Sequence, residues 1–383
     1  MKKSLFSILC FFVLTFLLSF AILFIFPKIL GKFPSRFPFF AQLSGFVPDE
    51  KLVFRAIPGS KKYRFRGDSY SESFAVNSDF IEGERTITAQ GLADDGAPPS
   101  PEIVLLGDSF VQMGHSTADT LPARLRGVIK RKVAGYSLYW YGPYQYLELY
   151  RQFGLQPSVR KAVFCFFEGN DFKDIREYRN WQQGGRYHHF LLEQSLMKNI
   201  FSAFLDIFHL SQSPKENQKK SPMEMSLGGK TFPAFLLYGN DSRNPDQIIA
   251  SEEGRALVQI FHEFRVLSEK HCIKPYILFI PSSTRIYSKY LTKDFNPITE
   301  LKRSQIPLLD HTEIAVRSIA HSQGIRFESL VPTFTKAAER GDFLYYPFDS
   351  HWNSLGRAEA ASFLANVLQK DSDHHCYPDN TFD

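Results

Sequence analysis

Residues 102–110 read EIVLLGDSF. Ile103, Val104, Leu105 and Leu106 form an apolar run without alternation, the pattern of a strand buried on both faces of a parallel sheet. Gly107 and Asp108 supply turn chemistry that ends the strand. Ser109 is thereby set at the carboxyl end of a buried strand, where open α/β sheets hold their ligands. A serine hydroxyl is a weak nucleophile at its free pKa and needs a base beside it. Its own backbone N–H is available to a developing oxyanion.

Outward from that run, strand and helix patterns alternate. Residues 162–167 (AVFCFF), 276–280 (YILFI, closed by Pro281) and 325–330 read as further strands. Residues 119–132 read as a helix, with Thr120 as N-cap, Pro122 in the first turn, and Leu121, Leu125, Val128 and Ile129 on one face. Residues 252–270, 313–322 and 354–369 read as helices too, the last with Leu355, Ala358, Ala361, Leu364 and Leu368 on one side. This alternation predicts an α/β fold, a parallel sheet covered on both faces. Residues 182–244 show no clear pattern and read as an insertion, partly helical over 190–210. Residues 31–98 read as a linker and a small β-rich lead-in, with alternation over 62–66 and 73–76. Residues 99–383 are then the catalytic domain.

Three more blocks carry chemistry. Gly142, in YWYGP (139–143), can bring its N–H close to an oxyanion, or simply form the turn before Pro143. Asn170, in EGND (168–171) directly after the strand AVFCFF, can donate its side-chain N–H to an oxyanion, or belong to an ordinary Gly-Asn-Asp turn. Asp171 is expected to brace that loop. In DSHWN (349–353), His351 can take the serine proton and Asp349 can orient the imidazole. In extended chain, residues two apart face the same way, so both can aim at one cleft. The same polar turn can also cap the helix that follows, through Asn353 or Ser354.

Taken together and in this order, the blocks resemble those of the SGNH (GDSL-type) hydrolase superfamily, over roughly residues 102–370. The resemblance implies a three-layer flavodoxin-like fold with a central parallel sheet. It also implies a catalytic Ser109, His351 and Asp349, and an oxyanion hole made by Ser109, Gly142 and Asn170. VNSDF (76–80) ahead of GDSF is similar to membrane-anchored bacterial members. Two positions depart from the pattern. Glu168 stands where a glycine is more usual, and Asp349 is two rather than three residues before His351. The tighter spacing, followed by Trp352, resembles the DxHW motif of periplasmic proteins that O-acetylate alginate and related polysaccharides. Those proteins place it before the serine, whereas here it comes after.

The resemblance implies a serine esterase acting on an acyl, chiefly O-acetyl, ester of an envelope glycan or lipid. One alternative is an O-acyltransferase that modifies a surface polysaccharide with a membrane acyl-donor protein as partner. Another is a non-catalytic glycan-binding or scaffold module of the same fold. His115, Trp140 and Tyr141 are candidate substrate contacts, though His115 can equally be an ordinary polar loop residue and Trp140 and Tyr141 can pack in the core. No metal or organic cofactor is expected, because His188, His189, His374, His375 and the four cysteines lack partner ligands at metal spacing. A net charge of +5, without aromatics interleaved among the basic residues, gives no nucleic-acid surface. Residues 5–26 form an apolar run that, as a helix, would be about 33 Å long, enough to cross a bilayer. It is longer than a signal-peptide core. Residues 1–30 therefore read as an uncleaved single-pass anchor, with the catalytic domain outside the cytoplasm, in the periplasm or on the outer surface.

Overall fold

A computed structural model describes residues 46–65, 81–184, 223–234, 243–292, 308–347 and 349–371, together with Leu14, Thr15, Leu18 and Ser19. The apolar run 5–26, almost all of it, lies outside these residues, as do 73–76, 190–210 and Cys376. No helix among the described residues is long and apolar enough to cross a membrane.

Two antiparallel hairpins precede the central sheet. The first pairs β1 (Phe46–Asp49) with β2 (Val53–Ala56), and the second pairs β3 (Gly59–Phe65) with β4 (Ile81–Ile87). The chain divides into two compact units, one of residues 1–57 and 177–215 and the other of 58–176 and 216–383. In the first unit Asp49 accepts from the N–H groups of Lys51 and Leu52 and from Arg55 Nε, and so closes the hairpin turn.

The second unit holds five parallel strands: β5 (Ile103–Gly107), β6 (Val133–Ser137), β7 (Lys161–Phe167), β10 (Lys274–Ile280) and β11 (Arg326–Ser329). Their order across the sheet is β11-β10-β7-β5-β6. Numbered along the chain this is 2-1-3-4-5, the doubly wound flavodoxin-like order, whose switch point lies between β5 and β7. The expected strands at 162–167, 276–280 and 325–330 are present. β6 reads VAGYS, with too few apolar residues to signal a strand, and it is an edge strand of the sheet.

The elements between the strands are α1 (Ser109–Gln112), α2 (Leu121–Ile129), α3 (Pro143–Leu149), α4 (Asp171–Gln182), the hairpin β8–β9 (Met223–Leu227 with Lys230–Ala234), α5 (Pro245–Ala250) and α6 (Glu252–Lys270). After β10 come α7 (Ser283–Tyr287), α8 (Asp310–Ser322), α9 (Val331–Glu339) and α10 (Ser354–Lys370). Side chains alternate across each strand. Ile103, Leu105, Val163, Cys165, Tyr276 and Leu278 form one core with α2, α9 and α10. On the opposite face Phe164 meets Tyr146, Phe261 and Phe264 of α3 and α6 at centroid distances of 5.2, 5.4 and 5.5 Å. Burial on both faces is why the strands read as apolar runs.

Helix α2 ends at Ile129, short of residue 132, because Lys130 turns into the left-handed region at φ 56°. Thr120 caps α2 by accepting from Ala123 N, as expected. Val128 and Leu355, both placed on core faces from the sequence, are exposed; the buried face of α10 runs instead through Arg357, Ala360, Ala361, Leu364 and Leu368. The hairpin β8–β9 lies inside the stretch read as patternless. Gly228 and Gly229 turn it with φ of 58° and 74°, and Met225 and Leu227 reach into the main core. Two adjacent glycines between short apolar-polar runs are a hairpin signal that the reading of 182–244 passed over.

Candidate active site

The carboxyl ends of β5 and β7 bring GDSF and EGND to the switch point. Ser109 opens α1, so its N–H is one of the first-turn donors that have no acceptor within the helix. Asp108 caps that helix, its Oδ1 accepting from Phe110 N at 2.9 Å.

His351 arrives from the loop before α10. Its Nε2 lies 2.8 Å from Ser109 Oγ and its Nδ1 2.5 Å from Asp349 Oδ1. With the ring proton on Nδ1 directed at the carboxylate, Nε2 is left to accept the serine proton. The two-residue spacing works through an Asx turn rather than through the extended chain expected from the sequence. Asp349 Oδ1 also accepts from His351 N at 2.9 Å, which folds the imidazole back onto its own carboxylate. Tyr346 N donates to His351 O, and Asn353, at the helix N-cap, accepts from Leu355 N and Gly356 N. The loop is thus pinned on both sides of the histidine. Phe110 supports the ring from below, 5.1 Å away between centroids, and packs edge-on against Trp352 at 5.2 Å. Trp352 is fully buried and is a core residue.

Gly142 and Asn170 meet through a residue that the sequence did not single out. Asp174 accepts from Asn170 Nδ2 at 2.7 Å, and a Cβ added at Gly142 would lie 2.5 Å from Asp174 Cβ. Only glycine fits there. The Gly142 N–H donates to Gln145 Oε1 at 3.1 Å, so to serve an oxyanion it must share or leave that bond. Asp171 braces the loop by accepting from Phe167 N and from Tyr146 Oη, both at 2.9 Å. Glu168, the departure from the usual glycine, accepts from Ser282 N, Ser282 Oγ and Arg285 Nε at 2.7–2.8 Å. It ties the ends of β7 and β10 together.

The other candidates make contacts of their own. His115 is exposed, with Nε2 3.0 Å from Tyr346 Oη. Trp140 is half-buried, its backbone is held at φ 66°, and its ring packs edge-on against Tyr139, over which Arg85 lies. Tyr141 is fully buried, which favours the core-packing alternative for its ring.

The site is rich in buried acid. Burial raises the Asp108 carboxyl to about 6, against the pull of the Phe110 N–H and of His351. Burial, then the Asp108 and Asp174 carboxylates, push Asp171 well above the usual range. A raised acid pKa favours the fold fully below the unfolded value of 3.8 and loses that contribution as pH climbs to about 6. Asp108→Asn, which keeps the helix cap, is therefore expected to raise Tm at pH 8, with the gain over the parent shrinking toward pH 4. Thermal melts across that range check this.

A doubly wound sheet in 2-1-3-4-5 order, with a serine at its switch point and an aspartate–histidine pair ahead of α10, is a flavodoxin-like arrangement. The chain is similar to several solved structures. One is a GDSL-like lipase from Bacteroides thetaiotaomicron, 11% identical, covering 71% of this chain and 89% of that one, TM-score 0.34. An extracellular lipase from Streptomyces rimosus is 13% identical, covering 71% and 100%, TM-score 0.37. The lipase/acylhydrolase from Enterococcus faecalis is 10% identical, covering 72% and 98%, TM-score 0.35. No protein-family model and no curated protein matches the chain.

Proposed function

We propose that this chain is a serine esterase that works through an acyl-enzyme on Ser109. The observation that carries the reading is the continuous relay from Asp349 through His351 to Ser109, at 2.5 and 2.8 Å. His351 Nε2 removes the Ser109 proton as Oγ attacks an ester carbonyl. The Ser109 N–H and the Asn170 amide receive the oxyanion, with Gly142 N–H as a third donor if it leaves Gln145. His351 then protonates the departing alcohol, and the acyl group passes from Ser109 to water. The apolar run 5–26 supports a membrane-tethered enzyme outside the cytoplasm, and hence an O-acetylated envelope glycan or lipid as substrate.

The test is covalent labelling of the full chain with a fluorophosphonate, followed by mass spectrometry of the peptide that carries Ser109. One phosphonyl adduct on Ser109 is expected, and so is a transient acetyl adduct during turnover of nitrophenyl acetate. No adduct, or an adduct on another residue, overturns the reading and leaves a binding module of the same fold. Acyl transfer would use the same residues, with a sugar hydroxyl and a membrane acyl donor replacing water and the ester. Following labelled acetyl in the presence of an acceptor glycan separates transfer from hydrolysis.

A further inference from the structure

We propose that Asp174 is a positioning residue for the oxyanion hole, acting through Asn170; this rests on the esterase reading. Asp174 is fully buried. A buried carboxylate is costly unless its hydrogen bonds repay the desolvation, and a hydrophobic residue would otherwise suit such a position better. Its contacts show what it does there. Asp174 N donates to Asn170 O at 2.8 Å, and Asp174 Oδ2 accepts from Asn170 Nδ2 at 2.7 Å. Residues four apart share one helix face, so backbone and side chain clamp Asn170 from the same turn.

The chemistry of that clamp is specific. An asparagine amide can present either its oxygen or its NH2 in a given direction. A carboxylate oxygen that accepts from Nδ2, as Asp174 Oδ2 does, selects the orientation in which Nδ2 faces it. With one N–H fixed, the plane of the amide is fixed, and the remaining N–H has a single direction. The orientation matters more because Gly142 N–H is already engaged by Gln145. Asp174 also packs against Gly142, so one side chain sets the position of both segments that flank the site.

The test is kinetic and uses the full chain. Asp174→Asn keeps the size and the contact with Gly142 but can donate as well as accept, so it no longer selects one amide orientation. It is expected to lower the limiting rate of fluorophosphonate labelling at Ser109, and kcat on nitrophenyl acetate, by about tenfold to a hundredfold, with the probe's apparent affinity and KM unchanged. The upper bound is set by the about hundredfold or greater loss typical of deleting one oxyanion donor. In an Asn170→Ala background the same substitution should change neither rate by more than about twofold, because the group it positions is gone. Asp174→Ser, smaller and able to accept, is the second variant should Asp174→Asn fail to fold. Labelled parent protein with unchanged rates in the Asp174 variants overturns the proposal, as does an equal loss in both backgrounds. Absence of any label on the parent instead overturns the esterase reading on which it stands.

Discussion

Asp349→Asn is expected to lower kcat by about 10⁴-fold while leaving the fold intact, the loss typical of the equivalent change in a serine–histidine–aspartate relay. The carboxylate accepts from His351 Nδ1 at 2.5 Å, which keeps the ring proton on Nδ1 and the lone pair of Nε2 aimed at Ser109. An amide in its place can turn its NH2 to Nδ1. That stabilises the wrong tautomer, with a proton on Nε2, and the serine loses its acceptor. Both bonds go to Oδ1, so an asparagine that turns its NH2 to Nδ1 gives up the turn hydrogen bond from His351 N. Circular dichroism should stay close to the parent, with a fall in Tm no larger than that one bond explains, while kcat on nitrophenyl acetate collapses. A loss below about tenfold would move the orienting role to the other buried carboxylate near His351, Asp108.

Arg357→Met should be the most damaging change to stability away from the triad. Arg357 is fully buried, donates to Trp352 O at 2.9 Å, and forms an ion pair with Asp119. Asp119 in turn accepts from His115 N at 2.9 Å and from Arg124 Nε at 2.7 Å. The pair joins the segment after the serine to the carbonyl beside the histidine. Removing one partner of a buried pair costs about 3–5 kcal/mol when the other charge is left uncompensated; Asp119 keeps Arg124 and the His115 N–H, so that range is a ceiling here. At about 2 °C per kcal/mol for a domain of this size, Tm should fall by at most roughly 6–10 °C. The double change Asp119→Leu, Arg357→Met should cost less than the two single changes added together. Burial works to raise the Asp119 pKa, but the His115 N–H and Arg357 outweigh it and hold it below 3.8. This contribution to stability is thus present above pH 4 and is lost as pH falls through the folded value. Thermal melts of the single and double variants decide the matter, and a double variant that costs the sum of the two single changes would refute the pairing.

The sheet was legible because buried strands must be apolar on both sides, and β5, β7 and β10 announce themselves that way. The edge strand β6, with Gly135 and Tyr136 among its five residues, does not. Local chemistry was legible as well: the Thr120 cap, the serine after β5 and the asparagine after β7 sit in turns whose residue types have direct reasons. What the sequence could not show is pairing over distance. Asp119 and Arg357 are 238 residues apart, and nothing in either neighbourhood names the other. Glu168 looked like a departure from the pattern, yet it proves to be a tie between two strand ends. Asp174 had a weak signal, four residues after Asn170 on the same helix, but its contact with Gly142 exists only in three dimensions. Tyr141, beside Gly142, fitted a substrate contact and core packing equally well in the sequence, and its burial is visible only in three dimensions.

On the esterase reading, the base that arms Ser109 is encoded 242 residues after it. During synthesis the nucleophile therefore leaves the ribosome long before its imidazole exists, and the Arg357 that clamps the histidine loop to the serine loop comes later still. A nascent chain carries an inert alcohol through translation, and through any transfer across a bilayer. On that reading it becomes reactive only when the segment ahead of α10 docks, so arrest or truncation before that point would yield a silent protein rather than an indiscriminately active one.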